Sequence, residues 1–566
     1  MLTARKKVLR FPTPAGRMIR IVAAVLAAGS LATAADVVPA PAAATVTHLF
    51  TSWYGVEAGN AVFKVNRANV SPEDLVIFEQ VKEYYKIELS DGESAPERVS
   101  VPTGVRLRAE VARKSEPWLI ADKPWESGDV GLGISRQRVI NENGLYRVWY
   151  CASVKGRNKA IIAPDGKRLK LGSDDTGFSG LCYMESRDAV HWVKPSLGLV
   201  EFRGSKDNNI LTTDRRVEPA IFLDRAAPPE ERYKSVTNSN IRAIDPNSKL
   251  SGARLAGAVS PDGIHWKVLS EPLSLGASNS DGGPEVHRDE QTGKYVQYMR
   301  ANYPRRRSIA RAENDEFRHW PDPTIILTPG PDEDPAVDFY NSPYLQYPGA
   351  ASAHLMLVSS YHRDTSQLDL RMASSMDGDG WNWLSPRAVV ELGKPGDWDG
   401  GVLYACGEMV RLPDGRVAVA INGSSYRHNE GWREKFERGH VSRHGVAWAI
   451  WEDGRIAGVE AEKAGEFTTL PLKATGQPIE VNARTGGSGS VQVDVLIEEP
   501  GRPYPKPALQ ARQMTGDLHW RPLVFSEGSL AQLTGKTIRL RFHLFDAKVF
   551  GVRGEGLDWV SSYARK

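Results

Sequence analysis

Short hydrophobic runs that alternate with polar residues fill most of the chain between residues 117 and 465. Gly, Pro, Asn and Asp residues separate these runs, as is typical of strands joined by tight turns. A period of two places the apolar side chains on one face of a strand, whereas a helix needs a period of about 3.6 residues. The pattern therefore predicts that residues 117–465 form an all-β region.

One short phrase recurs along this region and divides it into units. It consists of a strand rich in Ser or Ala, a turn that contains an acid, and a tryptophan, and its fullest copy runs from Ser260 to Trp266. The other copies end at Trp192, Trp320 and Trp383, and a shorter copy contains Asp453. The copies lie about 55 to 75 residues apart, a spacing that repeated blades produce. We expect the acidic turn to support a tight reversal and the tryptophan to pack between blades.

Each unit carries four predicted strands, and the second strand is the easiest to recognise. The second strands begin at Leu145, Arg232, Lys294, His354 and Gly415. Five units of four strands predict a five-bladed β-propeller over residues 117–465.

The region after the repeats follows a different pattern. Val491, Val493 and Val495 alternate with polar residues, as do the apolar residues from Ile538 to Leu544. This alternation is typical of half-buried antiparallel strands. We therefore predict a small C-terminal β-sandwich over residues 466–566.

The region before the repeats contains the one persuasive helix. Ser71 is a suitable capping residue, Pro72 fits the first helical position, and acids follow in the first turn. We expect this helix to run to about Leu89, within a linker and N-terminal α/β segment at residues 35–116. The predicted fold class is thus all-β, with a short helical N-terminal segment.

The first 34 residues have the pattern of a signal peptide. Six basic residues precede or border an apolar run from Ile21 to Leu31, and the small residues Ala32-Thr33-Ala34 follow. The apolar run is too short to span a bilayer, so we expect export to the periplasm or outside the cell and no membrane span in the mature chain. Without these six residues, 66 basic residues face 69 acidic ones. The mature chain is therefore mildly acidic, so the basicity of the whole chain does not indicate nucleic acid. No arginine-rich stripe with interleaved aromatics is present either, and we expect no nucleic-acid partner.

The three cysteines do not form a disulfide scaffold in a chain this long. Cys151 and Cys182 fall on neighbouring predicted strands, where two small buried residues are favoured over a bridge, and Cys406 has no obvious partner. Cys and His residues show no metal-type spacing, so neither a cofactor nor a metal site is expected. An axial calcium ion nevertheless remains compatible with a set of inner carboxylates.

An acid stands near the predicted start of every inner strand, about 14 to 18 residues before the second strand of its unit. These five acids are Asp129, Glu218, Asp281, Asp338 and Asp399. Inner strands surround the axis of a propeller, so the alignment predicts a ring of carboxylates at one mouth. Like charges at such short range are costly unless the site uses them. Glu285 and Glu408 also fall in inner strands and are alternatives to these choices.

Paired carboxylates suit the hydrolysis of glycosidic bonds. One carboxyl group protonates the leaving oxygen while another attacks the sugar or activates water. Aromatic and polar side chains near the same mouth are candidates for binding the sugar: Tyr340, Asn341, Tyr361, His362, Trp398 and Tyr404.

The phrase from Glu185 to Pro195 and its continuation from Gly204 to Ile210 resemble segments of exported bacterial five-bladed propeller glycoside hydrolases of the invertase, arabinanase and β-xylosidase type. The resemblance implies a hydrolase of poly- or oligosaccharides that draws two Asp and one Glu from inner strands. The positions that match are Asp129, Glu218 and Asp281. The Asn-Asp-Pro-Asn motif of invertase-type enzymes is absent from the first unit.

The leading hypothesis is an exported glycoside hydrolase in which Asp281 and Glu218 react, while Asp338 and Asp399 hold hydroxyl groups or tune pKa values. The expected partner is a carbohydrate substrate, and the expected state is a monomer or small homo-oligomer. A propeller that binds carbohydrate without cleaving it is the main alternative, and a partner-binding scaffold is a third.

Overall fold

The computed structural model describes most of the chain that follows the predicted signal peptide. The described residues are 44–85, 87–90, 96–126, 134–154, 158–162, 168–173, 178–276, 284–303, 305–341, 343–350, 353–429, 443–498 and 507–560. The predicted segment 1–34 lies outside this range, as do Asp129 and Asp281.

The N-terminal segment contains the predicted helix and six short strands. Its elements are β1 (Thr45–Leu49), β2 (Asn60–Asn66), α1 (Pro72–Tyr85), β3 (Ile87–Ser90), β4 (Pro96–Val99), β5 (Arg106–Ala109) and β6 (Arg113–Lys114). Ser71 caps α1 as predicted, because its Oγ accepts the backbone N–H of Asp74 at 3.1 Å. The predicted end at Leu89 is wrong, since the chain leaves the helix after Tyr85 and β3 pairs with β2 in parallel.

Five successive sheet units follow, numbered 1 to 5 in chain order. Unit 1 has β7 (Ile134–Glu142), β8 (Leu145–Val154), β11 (Phe178–Ser186) and β12 (Ile210–Thr212), with a hairpin of β9 (Asn158–Ile162) and β10 (Arg168–Ser173) inserted after β8. Unit 2 has β13 (Ile221–Leu223), β14 (Tyr233–Asn240), β15 (Ala253–Ser260) and β16 (Lys267–Val268), and the short α2 (Ile241–Ile244) joins β14 to β15. Unit 3 has β17 (Glu285–Arg288), β18 (Tyr295–Tyr303), β19 (Arg306–Asn314) and β20 (Thr324–Leu327).

Units 4 and 5 share one sheet. Unit 4 has β21 (Val337–Asn341), β22 (Tyr344–Gln346), β23 (His354–His362), β24 (Gln367–Ser375) and β25 (Trp381–Trp383). Unit 5 has β26 (Val402–Arg411), β27 (Val417–Ser424) and β28 (His444–Trp451), and β6 from the N-terminal segment pairs with β28 as its fourth strand. The second strands of all five units lie where the sequence predicts them.

Hydrophobic clusters join each unit to its neighbours. Separate clusters span units 1 and 2, units 2 and 3, and units 3 and 4. The largest cluster combines buried residues of units 4, 5 and 1, such as Leu355, Val419 and Val148. Because unit 5 packs against unit 1 as well as unit 4, the contacts between neighbouring units run round a closed ring.

In units 1 to 4 the recurring phrase forms a tight turn between the third and fourth strands. In unit 2 the Ser260 Oγ accepts the N–H of Gly263 at 2.9 Å. The Asp262 carboxylate accepts the N–H groups of Ile264 and His265, each at 2.8 Å. The same bonds form around Asp188 in unit 1 and Asp377 in unit 4. Asp188, Asp262 and Asp377 are thus used in local backbone bonding, as predicted from their turn chemistry.

The turns of the phrase also accept hydrogen bonds from aromatic side chains of the preceding unit. Trp149 of unit 1 donates its Nε1–H to the Gly263 carbonyl oxygen at 2.7 Å. Tyr298 of unit 3 donates to the Gly378 carbonyl oxygen at 2.6 Å. Trp448 of unit 5 donates to the Ala189 carbonyl oxygen of unit 1 at 3.2 Å. The phrase therefore links successive units and does not line a site.

The C-terminal region forms an eight-stranded sheet. Its own strands are β29 (Ala457–Thr468), β30 (Leu472–Lys473), β31 (Ile479–Ile497), β32 (Pro507–Gln510), β33 (Asp517–Pro522) and β34 (Thr537–Glu555). The 19-residue strands β31 and β34 pair along most of their length, with register shifts that mark bulges. The N-terminal strands β1 and β5 join the same sheet by pairing with β34 and β29.

The three cysteines are free thiols. Cys151 and Cys182 lie on the paired strands β8 and β11, and burial raises the pKa of the Cys151 thiol to about 12. Within the described part of the chain, neither helix has the length and hydrophobicity needed to cross a bilayer.

Candidate functional site

The inner strands β7, β13, β17, β21 and β26 all begin at the same side of the ring, here called the entry mouth. The hairpins β18/β19 and β23/β24 reach this side too, because the second strand of each unit runs antiparallel to the first. Three of the five predicted acids lie within the described residues at this level: Glu218, Asp338 and Asp399.

Glu218 lies just before β13 and is held on two sides. Its backbone N–H donates to Ser235 Oγ at 3.2 Å, and its carbonyl oxygen accepts from the same hydroxyl at 2.8 Å. Its carboxylate forms an ion pair with Arg136 of β7, which leaves the Glu218 side chain 18% exposed. Arg136 lies in a β-bulge between Ser135 and Gln137 and has a φ of 44°. The bulge turns the Arg136 side chain toward Glu218.

Asp338 of β21 is fully buried and bound by two arginines. Arg363 donates two hydrogen bonds to the carboxylate, from Nη2 at 2.7 Å and from Nε at 3.0 Å. Arg307 of β19 adds its Nη1 at 2.8 Å and its backbone N–H at 3.3 Å. Both Asp338 oxygens are therefore occupied by charge-assisted hydrogen bonds. The acid orders the two guanidinium groups and has no face left for a substrate.

Asp399 is also buried, with 5% of its side chain exposed, and forms an ion pair with Lys114 of β6. Lys114 donates a second hydrogen bond to the Glu391 carbonyl oxygen at 2.7 Å. The pair ties the N-terminal strand β6 to the chain that enters β26. Asp399 thus stabilises the attachment of β6 to unit 5.

Three of the predicted sugar-binding aromatics form one cluster at the entry mouth. The Tyr340 ring lies 6.0 Å from Tyr361 and 6.2 Å from Tyr404, measured between ring centroids. His428 joins them at 4.8 Å from Tyr340 and 5.2 Å from Tyr361. Its Nδ1 lies 3.0 Å from the Tyr404 hydroxyl. Tyr340 and Tyr361 are buried, whereas Tyr404 and His428 are half-buried and form the accessible edge of this aromatic cluster.

Two arginines flank the aromatic cluster. The Arg300 and Arg307 guanidinium carbons lie 5.0 Å and 5.1 Å from the centre of the Tyr340 ring. Arg307 also lies 5.2 Å from the Tyr361 ring. Cations at these distances are attracted by the ring faces, so the contacts help to fix the guanidinium planes.

The other three predicted sugar-binding residues have contacts outside the aromatic cluster. Trp398 packs against the main chain of Gly423, where any side chain would meet its ring. His362 bonds Asp369 Oδ2 at 3.0 Å, and this hydrogen bond raises the pKa of the imidazole. Asn341 stands opposite Ser359 in the ladder of β21 and β23.

Farther from the entry mouth, the buried residue Arg138 connects three units. Arg138 of β7 is buried, ion-pairs with Glu285 of β17, and donates to the Gly407 carbonyl oxygen of β26. Gly407 has no Cβ, which would collide with the Glu285 carboxylate. Burial raises the pKa of Glu285 despite the favourable charge of Arg138. Sequence reasoning named Glu285 as an alternative acid but missed Arg138, although a charged residue inside a buried strand is a signal.

Glu408 lies beside this group and differs from the other inner acids. Within the described residues its carboxylate has neither a hydrogen-bond nor an ion-pair partner, and burial raises its pKa to about 7. Gly407 and Glu408 line a cavity of about 590 Å³. It is lined by the ends of the inner strands, including Ile140, Leu223, Arg288 and Met409. Glu408 therefore faces the side of the ring opposite the entry mouth.

The described residues contain no group of three His, Cys, Asp or Glu side chains that could hold a metal ion. Asp129 and Asp281 lie outside that range, so the axial calcium ion stays a prediction.

No family model matches this chain, and no curated protein matches it. Several solved structures are similar to it at low sequence identity. An N-acetylgalactosamine deacetylase from F. plautii is 15% identical over 61% of this chain and 96% of its own, with a TM-score of 0.36. A sucrose-6-phosphate hydrolase from Lactobacillus gasseri is 11% identical over 88% and 98%, with a TM-score of 0.33. The catalytic domain of a GH62 alpha-L-arabinofuranosidase from Coprinopsis cinerea is 12% identical over 60% and 97%, with a TM-score of 0.35.

Proposed function

We propose that this protein is an exported glycoside hydrolase that cleaves a poly- or oligosaccharide at the entry mouth of a five-bladed β-propeller. The five sheet units and the contacts between successive units support the blade count. The basic and apolar pattern of residues 1–34 supports export.

One observation supports the proposal: a carboxylate held by two partners precedes inner strand β13, and an aromatic cluster lies where inner strands β21 and β26 begin. Arg136 and Ser235 hold Glu218 in place at the start of β13. The accessible edge of the aromatic cluster, Tyr404 and His428, comes from unit 5. Aromatic rings offer apolar faces and polar edges, which suit a sugar ring. Hydrolysis of a bound sugar needs both a rigidly held acid and a surface that orients the sugar ring.

We assign the reacting pair to Glu218 and Asp281. One of the two protonates the glycosidic oxygen, and the other attacks the anomeric carbon or activates a water molecule. Asp338 and Asp399 receive positioning roles, because cationic side chains occupy their carboxylates. Asp338 places Arg307 and Arg363 at the mouth, and Asp399 secures β6.

The test is a screen of the purified mature protein against plant and algal polysaccharides, with release of reducing ends as the readout. On the best substrate, Glu218→Gln is expected to lower kcat by about 10²- to 10⁴-fold, since general acid–base groups contribute on that scale. The Asp281→Asn variant is expected to behave in the same way. Glu230→Gln is the matched control, because Glu230 is exposed on the loop before β14.

Full activity in both the Glu218→Gln and the Asp281→Asn variants, with unchanged thermal melting, would exclude this pair of acids. A propeller that binds glycans without cleaving them is the second candidate. This candidate is favoured because cationic side chains already bind the carboxylates of Asp338 and Asp399. Glu218 is the third described acid of the predicted ring, and it is paired with Arg136. Glycan binding without release of reducing ends would support that candidate.

A further inference from the structure

Two guanidinium groups at the entry mouth are held in place by one buried acid. Arg307 comes from the β18/β19 hairpin of unit 3, and Arg363 comes from the β23/β24 hairpin of unit 4. Both bind the Asp338 carboxylate, and Arg363 also donates to the Arg305 carbonyl oxygen at 2.9 Å. Neighbouring units therefore present two cations side by side in fixed positions.

Positive charge exceeds negative charge around this carboxylate. Arg306 adds a third guanidinium group, with its Nε 4.0 Å from an Asp338 oxygen. The acids next in sequence, Asp334 and Asp364, accept backbone N–H groups of Ala336 and Thr365, and within the described residues their carboxylates form no ion pair with these arginines. Three guanidinium groups thus lie within 4.0 Å of one buried carboxylate.

Parts of both guanidinium groups remain available to a ligand. The Arg307 Nε and Nη2 and the Arg363 Nη1 have no hydrogen-bond partner among the described residues. The two side chains are 31% and 41% exposed. Guanidinium forks match the oxygen spacing of carboxylates and oxyanions, and side chains that are already ordered lose little entropy on binding.

The arginine pair adjoins the aromatic cluster, because Arg307 lies over the rings of Tyr340 and Tyr361. An anion bound to Arg307 and Arg363 would therefore lie next to the aromatic cluster, whose half-buried members are Tyr404 and His428. We infer that the saccharide recognised at the entry mouth carries an anionic group, a carboxylate or a sulfate ester, bound by Arg307 and Arg363. The saccharide nature of the ligand rests on the proposed function, whereas the anion preference rests on the arginines.

The experiment is a calorimetric titration of the full mature protein with three probes: oligogalacturonates, sulfated galactan oligosaccharides and uncharged galactan oligosaccharides. At least one charged probe is expected to bind at least about tenfold more tightly than the uncharged one, as charge-assisted bonds of this kind allow. The carboxylated and sulfated probes distinguish the two sources of charge. Higher salt is expected to weaken the preference.

Arg307→Met is expected to reduce the affinity for the preferred charged probe by about tenfold and to leave the uncharged probe unaffected. Arg363 still pairs with Asp338 in this variant, and thermal melting checks that it folds. Arg363→Gln provides a second variant with the same expectation. Arg416→Gln is the matched control, since Arg416 pairs with Asp414 in the exposed β26/β27 turn at the other side of the ring.

Equal affinity for charged and uncharged probes, or no effect of either arginine substitution in folded protein, would overturn the inference. Its failure is distinct from failure of the proposed function. Cleavage of an uncharged glycan alone would support the hydrolase and exclude the anion preference. Tight, arginine-dependent binding of a charged glycan without cleavage would support the anion preference and exclude the hydrolase.

Discussion

The partner of each inner carboxylate decides what that residue can do. Asp338 lies within β21 and Asp399 lies just before β26 of the next unit, and arginines bind the first whereas a lysine binds the second. The Glu408 carboxylate forms no ion pair or hydrogen bond with the described residues, and its burial raises its pKa although the charges of Arg138 and Arg225 oppose the shift. Removal of a carboxylate from water favours its protonated form.

This environment predicts a pH-dependent stability for the Glu408→Gln variant. The native pKa of about 7 lies above the ordinary 4.5 of a glutamate, so between these values the native state binds more protons than the unfolded state. Stability of the wild type therefore falls as the pH rises through that window. Glutamine cannot ionise, and the variant is expected to be more stable than the wild type by about 1 to 3 kcal/mol at pH 8.

Urea unfolding at pH 4.5 and pH 8 measures the difference. At pH 4.5 the two proteins are expected to be equally stable, because Glu408 is protonated in the native wild type. Glu230→Gln serves as the control and is expected to change stability at neither pH, since Glu230 is exposed. A Glu408→Gln variant that is less stable than the wild type at pH 8 would show that the carboxylate has a favourable partner.

Strand offsets guided the choice of candidate acids and aromatics, although the inner strands begin between 10 and 17 residues before the second strands and this distance varies from unit to unit. Of the chosen aromatics, Tyr340, Tyr361 and Tyr404 meet in one cluster. The pairing of each acid could not be predicted. Its partners, such as Arg136 and Lys114, come from strands far away in sequence, and only the closed ring brings them near.

At the scale of elements, the recurring phrase connects units through main-chain carbonyl groups. The turn residue that accepts the aromatic donor has a positive φ in each case, 74° at Gly263, 73° at Gly378 and 60° at Ala189. The alanine in unit 1 shows that a side chain is compatible with this backbone when space exists for it. Contact with the neighbouring unit therefore decides where glycine is needed.

Gly263→Ala tests this explanation. A Cβ there would lie 2.6 Å from the Trp149 ring, so the variant combines backbone strain with overpacking between units 1 and 2. We expect a loss of about 2 to 4 kcal/mol in the free energy of unfolding. Gly415→Ala is the control, because Gly415 has a φ of 88° but open space around it, and only about 1 kcal/mol is expected.

Chemical denaturation of the two variants separates strain from packing. Equal losses for Gly263→Ala and Gly415→Ala would mean that the contact with Trp149 adds nothing. A larger loss for Gly263→Ala supports the role of the phrase as a connection between units.

Elements with a clear period were predicted well, and elements without one were missed. The five second strands are runs of 8 to 10 residues that begin with apolar or aromatic residues after turn residues, so their starts could be read directly. Strand β6 has two residues, Arg113 and Lys114, and no period at all. Its place in unit 5 depends on backbone pairing with β28 and on the ion pair with Asp399, which are both tertiary contacts. The helix end was misjudged because β3 continues the apolar pattern of α1.

At the scale of the whole molecule, the N-terminal segment holds two sheets together. Strands β1 and β5 belong to the C-terminal sheet, and β6 completes unit 5 only a few residues later. Phe50 and Val56 also pack into the hydrophobic cluster of the C-terminal region. The sheets of the repeats and of the C-terminal region therefore depend on the same short stretch of chain.

This arrangement predicts that the repeat region does not fold alone. A fragment of residues 117–465 lacks β6 and leaves the edge of β28 and the Asp399 carboxylate without their partners. An exposed edge strand and an unpaired buried acid both favour aggregation or unfolding. We expect this fragment to be insoluble or molten, whereas residues 44–560 give a cooperative melting transition.

Lys114→Met in the full chain separates the contribution of the Lys114–Asp399 ion pair from that of the β6 strand pairing. It keeps the β6 backbone but removes the cation beside Asp399, and a loss of about 3 kcal/mol is expected from the buried acid left unpaired. The double variant Lys114→Met with Asp399→Asn should recover part of that loss, because no charge remains buried. A soluble, cooperatively folding 117–465 fragment would contradict the closing role of β6. If Lys114→Met destabilises the protein and Asp399→Asn restores part of the stability, the ion pair between Lys114 and Asp399 is the contact by which β6 stabilises unit 5.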